Sequence, residues 1–92
     1  MEDFHLREIV EQPSWDVSAK RLPLPRQALD ERLRGLTFEV ARIPEDFPYV
    51  GDGDLQIARY TGNPPLKVLF TAEDERINLY WVEPDDDQAE DS

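Results

Sequence analysis

The clearest structural signal in the chain is an amphipathic helix between two prolines. Apolar side chains recur at steps of four and three, the spacing that places them on one stripe of a helix. They are Leu29, Leu33, Leu36, Val40 and Ile43. Pro25 suits a first helical position because its φ is already helical and its missing N–H needs no partner there. Pro44 disfavours helical backbone in the residue before it, so the pattern predicts a helix from about Pro25 to Arg42 or Ile43.

The residues before this helix predict a strand and a short helical turn. Apolar and polar residues largely alternate from about Phe4 to Glu11, which indicates a first strand. Pro13 ends that strand. Ser14 follows it and fits the N-cap of a helical turn, because a serine hydroxyl can accept a hydrogen bond from the first backbone N–H groups.

Three short strands are predicted after the helix. A loop containing two prolines and two glycines covers residues 44–54, and its apolar members are expected to pack against the core. Those members are Phe47, Tyr49 and Val50. Three apolar runs follow, namely Leu55 to Tyr60, Leu66 to Ala72 and Ile77 to Val82. Short turns separate them, so neighbouring strands should run antiparallel.

Together these patterns predict an α+β fold: an N-terminal strand, a helical hairpin, and a three-stranded antiparallel meander packed on the helices. Side chains alternate along a strand, so each face of the meander can be assigned. The face expected to bury the helical stripe carries Leu55, Ile57, Leu66, Val68, Phe70, Ile77, Leu79 and Trp81. The opposite face carries Gln56, Ala58, Tyr60, Lys67, Leu69, Thr71, Asn78, Tyr80 and Val82. This second face is too apolar for a plain solvent-facing surface, so a partner is expected to bind there.

The charge of the chain limits what that partner can be. Asp and Glu number 21 against 10 Lys and Arg, which gives a formal net charge of -11. A field of this sign repels phosphate backbones and argues against nucleic-acid binding. Three explanations stay open: a solvated acidic surface of the kind found in halophiles, a surface for a basic protein partner, and an acidic face that imitates nucleic acid.

The length of 92 residues fits one domain. We expect that domain over residues 1–84. The acidic segment 85–92 is predicted to be disordered, since it holds no apolar residue larger than alanine. Without cysteine, a basic apolar leader or a run of roughly 20 apolar residues, the chain is predicted to be cytoplasmic and to make no membrane contact. Unprotected edges of the outer strands leave a homodimer as an open alternative.

No motif indicates a cofactor or a metal. His5 is the only histidine, and its place near the N-terminus favours a surface or strand-edge residue over a catalytic one. The segment Asp52, Gly53 and Asp54 resembles part of a calcium loop but lacks the bidentate glutamate that such a loop needs further on. We interpret it as a turn.

The best candidates for contacts with a partner are cations and aromatic rings of the predicted strands, because cations pair with phosphate and rings stack on bases. The candidate binding face comprises Arg59, Tyr60, Leu69, Arg76 and Tyr80, together with Lys67. The structural alternative is that Arg59, Lys67 and Arg76 pair with nearby carboxylates of the chain itself.

The order of a strand, a short helix, a longer helix and three strands resembles the RelE/ParE superfamily of small bacterial toxins from type II toxin-antitoxin systems. The similarity covers roughly residues 4–84. It includes the helix RQALDERLRGL, the loop proline Pro44 and the run LQIARYTGNPPLKVLFTAEDERINLYWVEP. The resemblance implies a toxin that inhibits translation at the ribosome, or a topoisomerase, and that is neutralised by an antitoxin segment lying on the exposed sheet face or helix.

Members of this superfamily that cleave messenger RNA rely on basic residues of the exposed face and on a tyrosine or histidine near the C-terminus. By position, Lys67 matches the basic residue that opens the penultimate strand, which makes it the candidate catalytic residue. Gln56 and Ala58 stand where such nucleases place lysines, and Pro84 with the acidic tail replaces a basic and aromatic segment. Much of the implied nuclease set is therefore missing. The alternative is a non-catalytic acidic module that docks a basic protein partner or mimics nucleic acid.

Overall fold

The chain folds as a strand, two helices and three further strands, described over residues 6–86 in this computed structural model. The strands are β1 (Glu8–Glu11), β2 (Gln56–Tyr60), β3 (Leu66–Ala72) and β4 (Arg76–Pro84), and the helices are α1 (Pro13–Lys20) and α2 (Arg26–Arg42). A 3₁₀ helix covers Pro44–Asp46. The predicted α+β class is confirmed. Phe4 and His5 of the predicted first strand, and the predicted tail beyond Asp86, lie outside the described residues.

The strands of the described residues form one mixed sheet in the order β1-β4-β3-β2. β2 pairs antiparallel with β3, and β3 pairs antiparallel with β4. β1 lies parallel to the first half of β4. The sheet therefore has four strands and includes the N-terminal strand, instead of the three predicted from the sequence. A parallel neighbour requires a long crossover connection, and α1 and α2 lie within the connection between β1 and the rest of the sheet.

Helix α1 begins earlier than the sequence predicts. Gln12 is its N-cap residue and Pro13 occupies the first helical turn. The prediction that Ser14 caps this helix is wrong, because the fixed φ and missing N–H of Pro13 suit the first helical position and place Ser14 one residue inside the helix.

The hydroxyl groups of α1 bind the edge of β4 instead. β1 pairs with β4 only as far as Leu79, so the next backbone groups of β4 need other partners. Ser14 donates its hydroxyl to the carbonyl of Tyr80 at 2.6 Å. The hydroxyl of Ser18 accepts the N–H of Val82 at 3.0 Å. Helix α1 thus continues along β4 where β1 ends.

The apolar stripe of α2 packs on the sheet as its spacing predicts. Leu29, Leu33 and Val40 are buried, and Leu36 packs half-buried against the same core. Burying a leucine or valine side chain contributes roughly 1.5–3 kcal/mol. The other buried apolar residues of this core are Trp15, Ala19, Leu22, Ala58, Leu66, Val68, Phe70, Ile77, Leu79 and Val82.

Strand β2 turns the opposite face to the core from the one predicted. Gln56 and Ala58 are buried, and they lie opposite Phe70 and Val68 of β3. Ile57, predicted to be buried, lies on the other face. The prediction failed because hydropathy treats a glutamine as a surface residue. Here the Gln56 side-chain amide donates to the carbonyls of residues 44 and 47 at 2.8 and 3.0 Å, which satisfies its polar group inside the protein.

A β-bulge reverses the alternation in the second half of β4. The register between β3 and β4 shifts between Leu69 and Phe70, so Tyr80 is an extra residue without a partner opposite it. Beyond the bulge, each side chain of β4 changes face. Trp81, predicted for the core, therefore lies beside Leu69 on the other face. Val82, predicted for that other face, is buried in the core.

The loop after α2 packs only in part as predicted. Phe47 meets Phe70 edge to face, with ring centroids 5.9 Å apart. Tyr49 and Val50, predicted to pack on the core, are instead 60% and 42% exposed. The reason lies in the backbone, since this segment runs along β2 and the N–H of Val50 donates to the carbonyl of Leu55 at 2.8 Å.

Neither helix of the described residues combines the length and apolar character that a bilayer crossing requires.

Candidate functional site

One face of the sheet packs against α2, and we call the other the open face. The register places its side chains in rows across β2, β3 and β4. Two of these rows have a member on each of the three strands: Arg59, Lys67 and Glu83 form the first, and Ile57, Leu69 and Trp81 form the second. Thr71 and Asn78 belong to a third row, at the far end from Lys67. The candidate residues are thereby divided between two ends of one face.

At the first end, both cations bind carboxylates of the chain itself. The Nζ atom of Lys67 lies 3.5 Å from a carboxylate oxygen of Glu83. Arg59 donates from Nη1 to the two carboxylate oxygens of Asp85 at 2.8 and 2.7 Å. The side chain of Asp85 is 0% exposed, whereas that of Arg59 is 41% exposed. A carboxylate removed from water needs such a partner to remain charged.

Asp85 also shows how far the packed chain extends. Its backbone N–H donates to the carbonyl of Pro65 at 3.0 Å, and the residue is 1% exposed. The sequence places this residue at the start of the disordered tail. Its burial and its bond to Arg59 instead join it to the sheet.

Tyr60 is not on the open face. It lies opposite Leu66 in the register and packs half-buried against the hydrophobic core. A methyl group at Gly62 would overlap its ring, so the missing side chain of that glycine makes room for it. The displacement of Tyr60 follows from the reversed faces of β2. Arg59 and Ile57 take the outward positions that were predicted for Tyr60 and its neighbours.

At the second end, a hydrogen-bond network holds one carboxylate in place. Arg76 donates to Glu73 at 2.9 Å, and the side-chain amide of Asn78 donates to Glu73 at 2.8 Å. The same amide of Asn78 donates to the hydroxyl of Thr71 at 3.2 Å, and its oxygen accepts from Gln12 at 3.1 Å. Asn78 is only 4% exposed, so its bonds fix the position of Glu73.

These bonds also set the charge of Glu73. The hydrogen bond from Asn78, and after it the bond from Arg76, lower the pKa of Glu73 below its usual value of 4.5. Both donors stabilise the ionised carboxylate more than the protonated one. Glu73 is therefore a fixed negative charge at neutral pH.

A cleft of about 310 Å³ opens beside this network. It is lined by Tyr49, Asp54, Gln56, Thr71, Ala72, Glu73 and Tyr80. A smaller depression of about 170 Å³ shares four of these residues and adds Pro44, the cation Arg7 and the carboxylates of Glu45 and Asp74. We call the larger one the acidic cleft. Within residues 6–86, the Asp54 side chain has no ion pair or hydrogen bond.

A depression on the helical side is the main alternative candidate site. It lies between β1 and α2 and measures about 240 Å³. Its carboxylates, Glu11 and Asp30, both accept bonds from Arg26, which also binds Asp16 at 3.0 Å. Lys20 also pairs with Asp16, and Arg34 lines the depression, so three cations accompany these three carboxylates. The acidic cleft has the less balanced charge and is therefore the better candidate site.

The charge of the chain is unevenly divided along the sequence. Residues 13–42, which contain both α-helices, hold six basic and four acidic residues. Residues 44–86, which contain three of the strands, hold three basic and ten acidic residues. The three basic residues are Arg59, Lys67 and Arg76, and each has an ion pair with a carboxylate of the chain. The acidic excess of the described residues thus lies in the sheet and its loops.

Among residues 6–86, no group of three or more histidine, cysteine, aspartate or glutamate side chains is placed to hold a metal ion. Comparisons with known protein families, with curated proteins and with solved structures found no match to this chain. Its function is therefore inferred from its own residues.

The structure brings Tyr80 and Arg76 to the second end of the open face, and it leaves Arg59 and Lys67 at the first. Sequence reasoning did not nominate Tyr49, Asp54 or Glu73 for a site. Asp54 belongs to the Asp-Gly-Asp segment, which resembles an incomplete calcium loop and was predicted to be a turn. No local pattern signals that Tyr49 is exposed, because that depends on how the loop pairs with β2.

Proposed function

We propose that this protein is a non-catalytic acidic binding module that docks a basic protein partner at the acidic end of its open face. One observation carries the proposal. Between residues 44 and 86, ten carboxylates accompany three cations, and each of those cations is already paired within the chain. Of the carboxylates that line the acidic cleft, Asp54 has no bond within the described residues and is available to an external cation.

Such a surface favours a basic partner in two ways. A cluster of like charges raises the rate at which an oppositely charged protein arrives, and it disfavours acidic competitors. The exposed ring of Tyr49 adds apolar contact area beside the carboxylates. Tyrosine is common in the centre of protein interfaces because it supplies a rigid and amphipathic surface.

A binding titration tests this proposal. The full chain, labelled with ¹⁵N, is titrated with a peptide of alternating arginine and glycine, and separately with one of alternating glutamate and glycine. We expect only the basic peptide to bind, with chemical-shift changes concentrated around Tyr49, Thr71 and Glu73. Binding should weaken as salt is added, since salt screens surface charges. If the basic peptide does not bind even at low salt, the proposal is wrong.

A second proposal is a toxin-like protein that acts on the ribosome or on a topoisomerase. It is supported by the order of a strand, two helices and three strands, and by the place of Lys67 near the start of β3 on the open face. Against catalysis stands the ion pair of Lys67 with Glu83. A nuclease must neutralise the charge that develops on the scissile phosphate, and this pairing reduces what Lys67 can offer.

Expression in bacteria tests the second proposal. A toxin is expected to arrest growth, and Lys67→Ala should relieve the arrest if Lys67 takes part in catalysis. A neighbouring gene for an antitoxin should restore growth on co-expression. Normal growth with the unmodified chain, without any neighbouring antitoxin gene, contradicts the toxin proposal and leaves the binding module.

A further inference from the structure

We propose that the acidic cleft binds the guanidinium group of an arginine side chain from the partner. This inference rests on the proposed binding function and specifies the chemical group that the module recognises. The aromatic lining, the carboxylates and the size of the cleft support it.

The aromatic lining suits a planar cation. Both Tyr49 and Tyr80 line the cleft, and Tyr49 is 60% exposed although it has a large apolar ring. Aromatic faces attract cations through the negative potential of the ring, and arginine also stacks on them because its guanidinium is flat. The β-bulge contributes to this arrangement, since it makes Tyr80 the residue without a partner opposite it.

The carboxylates supply the acceptors. Glu73 is held ionised by Asn78 and Arg76, and Asp54 has no partner within the described residues. An arginine presents five N–H donors in a fixed fork and can bind more than one acceptor at once. A lysine ammonium is a compact and strongly hydrated charge that gains less from flat aromatic walls. The lining therefore favours arginine over lysine.

The size of the cleft agrees with a side chain as its occupant. Sites for drug-sized molecules and cofactors span about 300 to 1,000 Å³. The acidic cleft, at about 310 Å³, lies at the lower limit of that range. It accommodates the end of one long side chain, while the rest of the partner lies on the sheet and loops outside.

The test uses three blocked peptides of the form Gly-X-Gly, in which X is arginine, lysine or citrulline. Citrulline keeps the shape of arginine without its charge. Each is titrated into the full ¹⁵N-labelled chain, and the shifts of Tyr49, Thr71 and Glu73 report binding. We expect the arginine peptide to bind most tightly and the citrulline peptide most weakly.

Three variants locate the site. Tyr49→Ala and Asp54→Asn should each weaken the arginine peptide about 2- to 5-fold, the size of an exposed cation–π contact or ion pair. Glu31→Gln removes the same charge as Asp54→Asn at an exposed position of α2, and it should leave the affinity unchanged. Urea midpoints equal to that of the wild type confirm that each variant folds.

The outcomes separate this inference from the proposed function. If the alternating arginine-glycine peptide binds but Tyr49→Ala and Asp54→Asn bind it as the wild type does, the cleft inference is overturned and the module proposal stands. Equal affinity for the arginine and lysine peptides also overturns it. If no basic peptide binds, both proposals fail together.

Discussion

At one end of the open face, Arg59 and Lys67 bind carboxylates of the chain itself, whereas at the other end Asp54 has no cation within the described residues. Both ends contain acidic residues. At the first end the charges are paired within the chain, and the buried carboxylate of Asp85 depends on Arg59 for its counter-charge. The second end keeps Glu73 ionised and open to the acidic cleft.

The comparison teaches that net charge alone does not locate a binding surface. A value of -11 describes the chain as a whole, but an external cation reaches only accessible carboxylates, such as Asp54 and Glu73 in the lining of the acidic cleft, and not a buried one such as Asp85. The candidate basic residues show the same point. Lys67 and Arg59 belong to the predicted binding face, but each forms an ion pair with a carboxylate of the chain and so has less charge to offer a partner.

Arg59→Ala should have the largest effect on stability. It leaves the buried carboxylate of Asp85 without its cation, and we expect a loss of about 2–3 kcal/mol, below the range for a fully buried pair because Arg59 is partly exposed. Urea unfolding measures this change. Arg34→Ala, an exposed arginine of α2, is the matched control and should cost no more than about 0.5 kcal/mol. Equal losses in the two variants would show that the first end is not held by this pair.

Asn78→Ala should have the next largest effect. It removes hydrogen bonds to Gln12, Thr71 and Glu73, and a loss of about 1–2 kcal/mol is expected. The pKa of Glu73 should rise towards 4.5, because its first stabilising donor is gone. A ¹³C NMR titration of the Glu73 carboxyl measures that shift. Thr71→Val is the control, since it removes one bond of Asn78 and leaves the bond to Glu73. An unchanged pKa in Asn78→Ala would contradict the network.

Lowering the pH should destabilise the second end of the open face, because Glu73 becomes protonated. Its pKa in the folded protein lies below the unfolded value, so its stabilising contribution is present above the unfolded pKa and is lost as the pH falls through the folded pKa. The relevant window therefore lies below 4.5. The urea midpoint of the wild type should fall as the pH decreases through this window, and Glu73→Gln should make that fall smaller. Asp16 at the helical side has its pKa lowered from 3.8, chiefly by its bond to Arg26, so Asp16→Asn should change the curve in the window below 3.8.

Lys67→Met should have the smallest effect. Its pair with Glu83 is partly exposed and 3.5 Å long, and such pairs contribute roughly 0 to 1 kcal/mol. Affinity for the arginine peptide should also stay the same, because Lys67 lies at the opposite end from the acidic cleft. A marked loss of peptide binding would place the partner on the first end and remove the distinction between the two.

The sequence predicted those features that depend on neighbouring residues. The spacing of leucines between Pro25 and Pro44 predicted α2, which spans Arg26–Arg42 in the structure. For the site, local reasoning nominated Tyr80 and Arg76 at the second end. It missed Asp54 because the residue falls in a loop, where no periodic pattern indicates which side chains converge.

By itself, the sequence determined the α+β class, the long helix and the acidic excess, because composition and periodicity are properties of short stretches of chain. Only the tertiary structure decided which face of β2 and of β4 enters the core. One extra residue at Tyr80 and the buried bonds of Gln56 reversed those assignments. The tertiary structure also decided which charges remain available, since Arg59 and Asp85 meet across 26 positions of the sequence. Contacts at such separation depend on the folded arrangement of the whole sheet, and no local pattern encodes them.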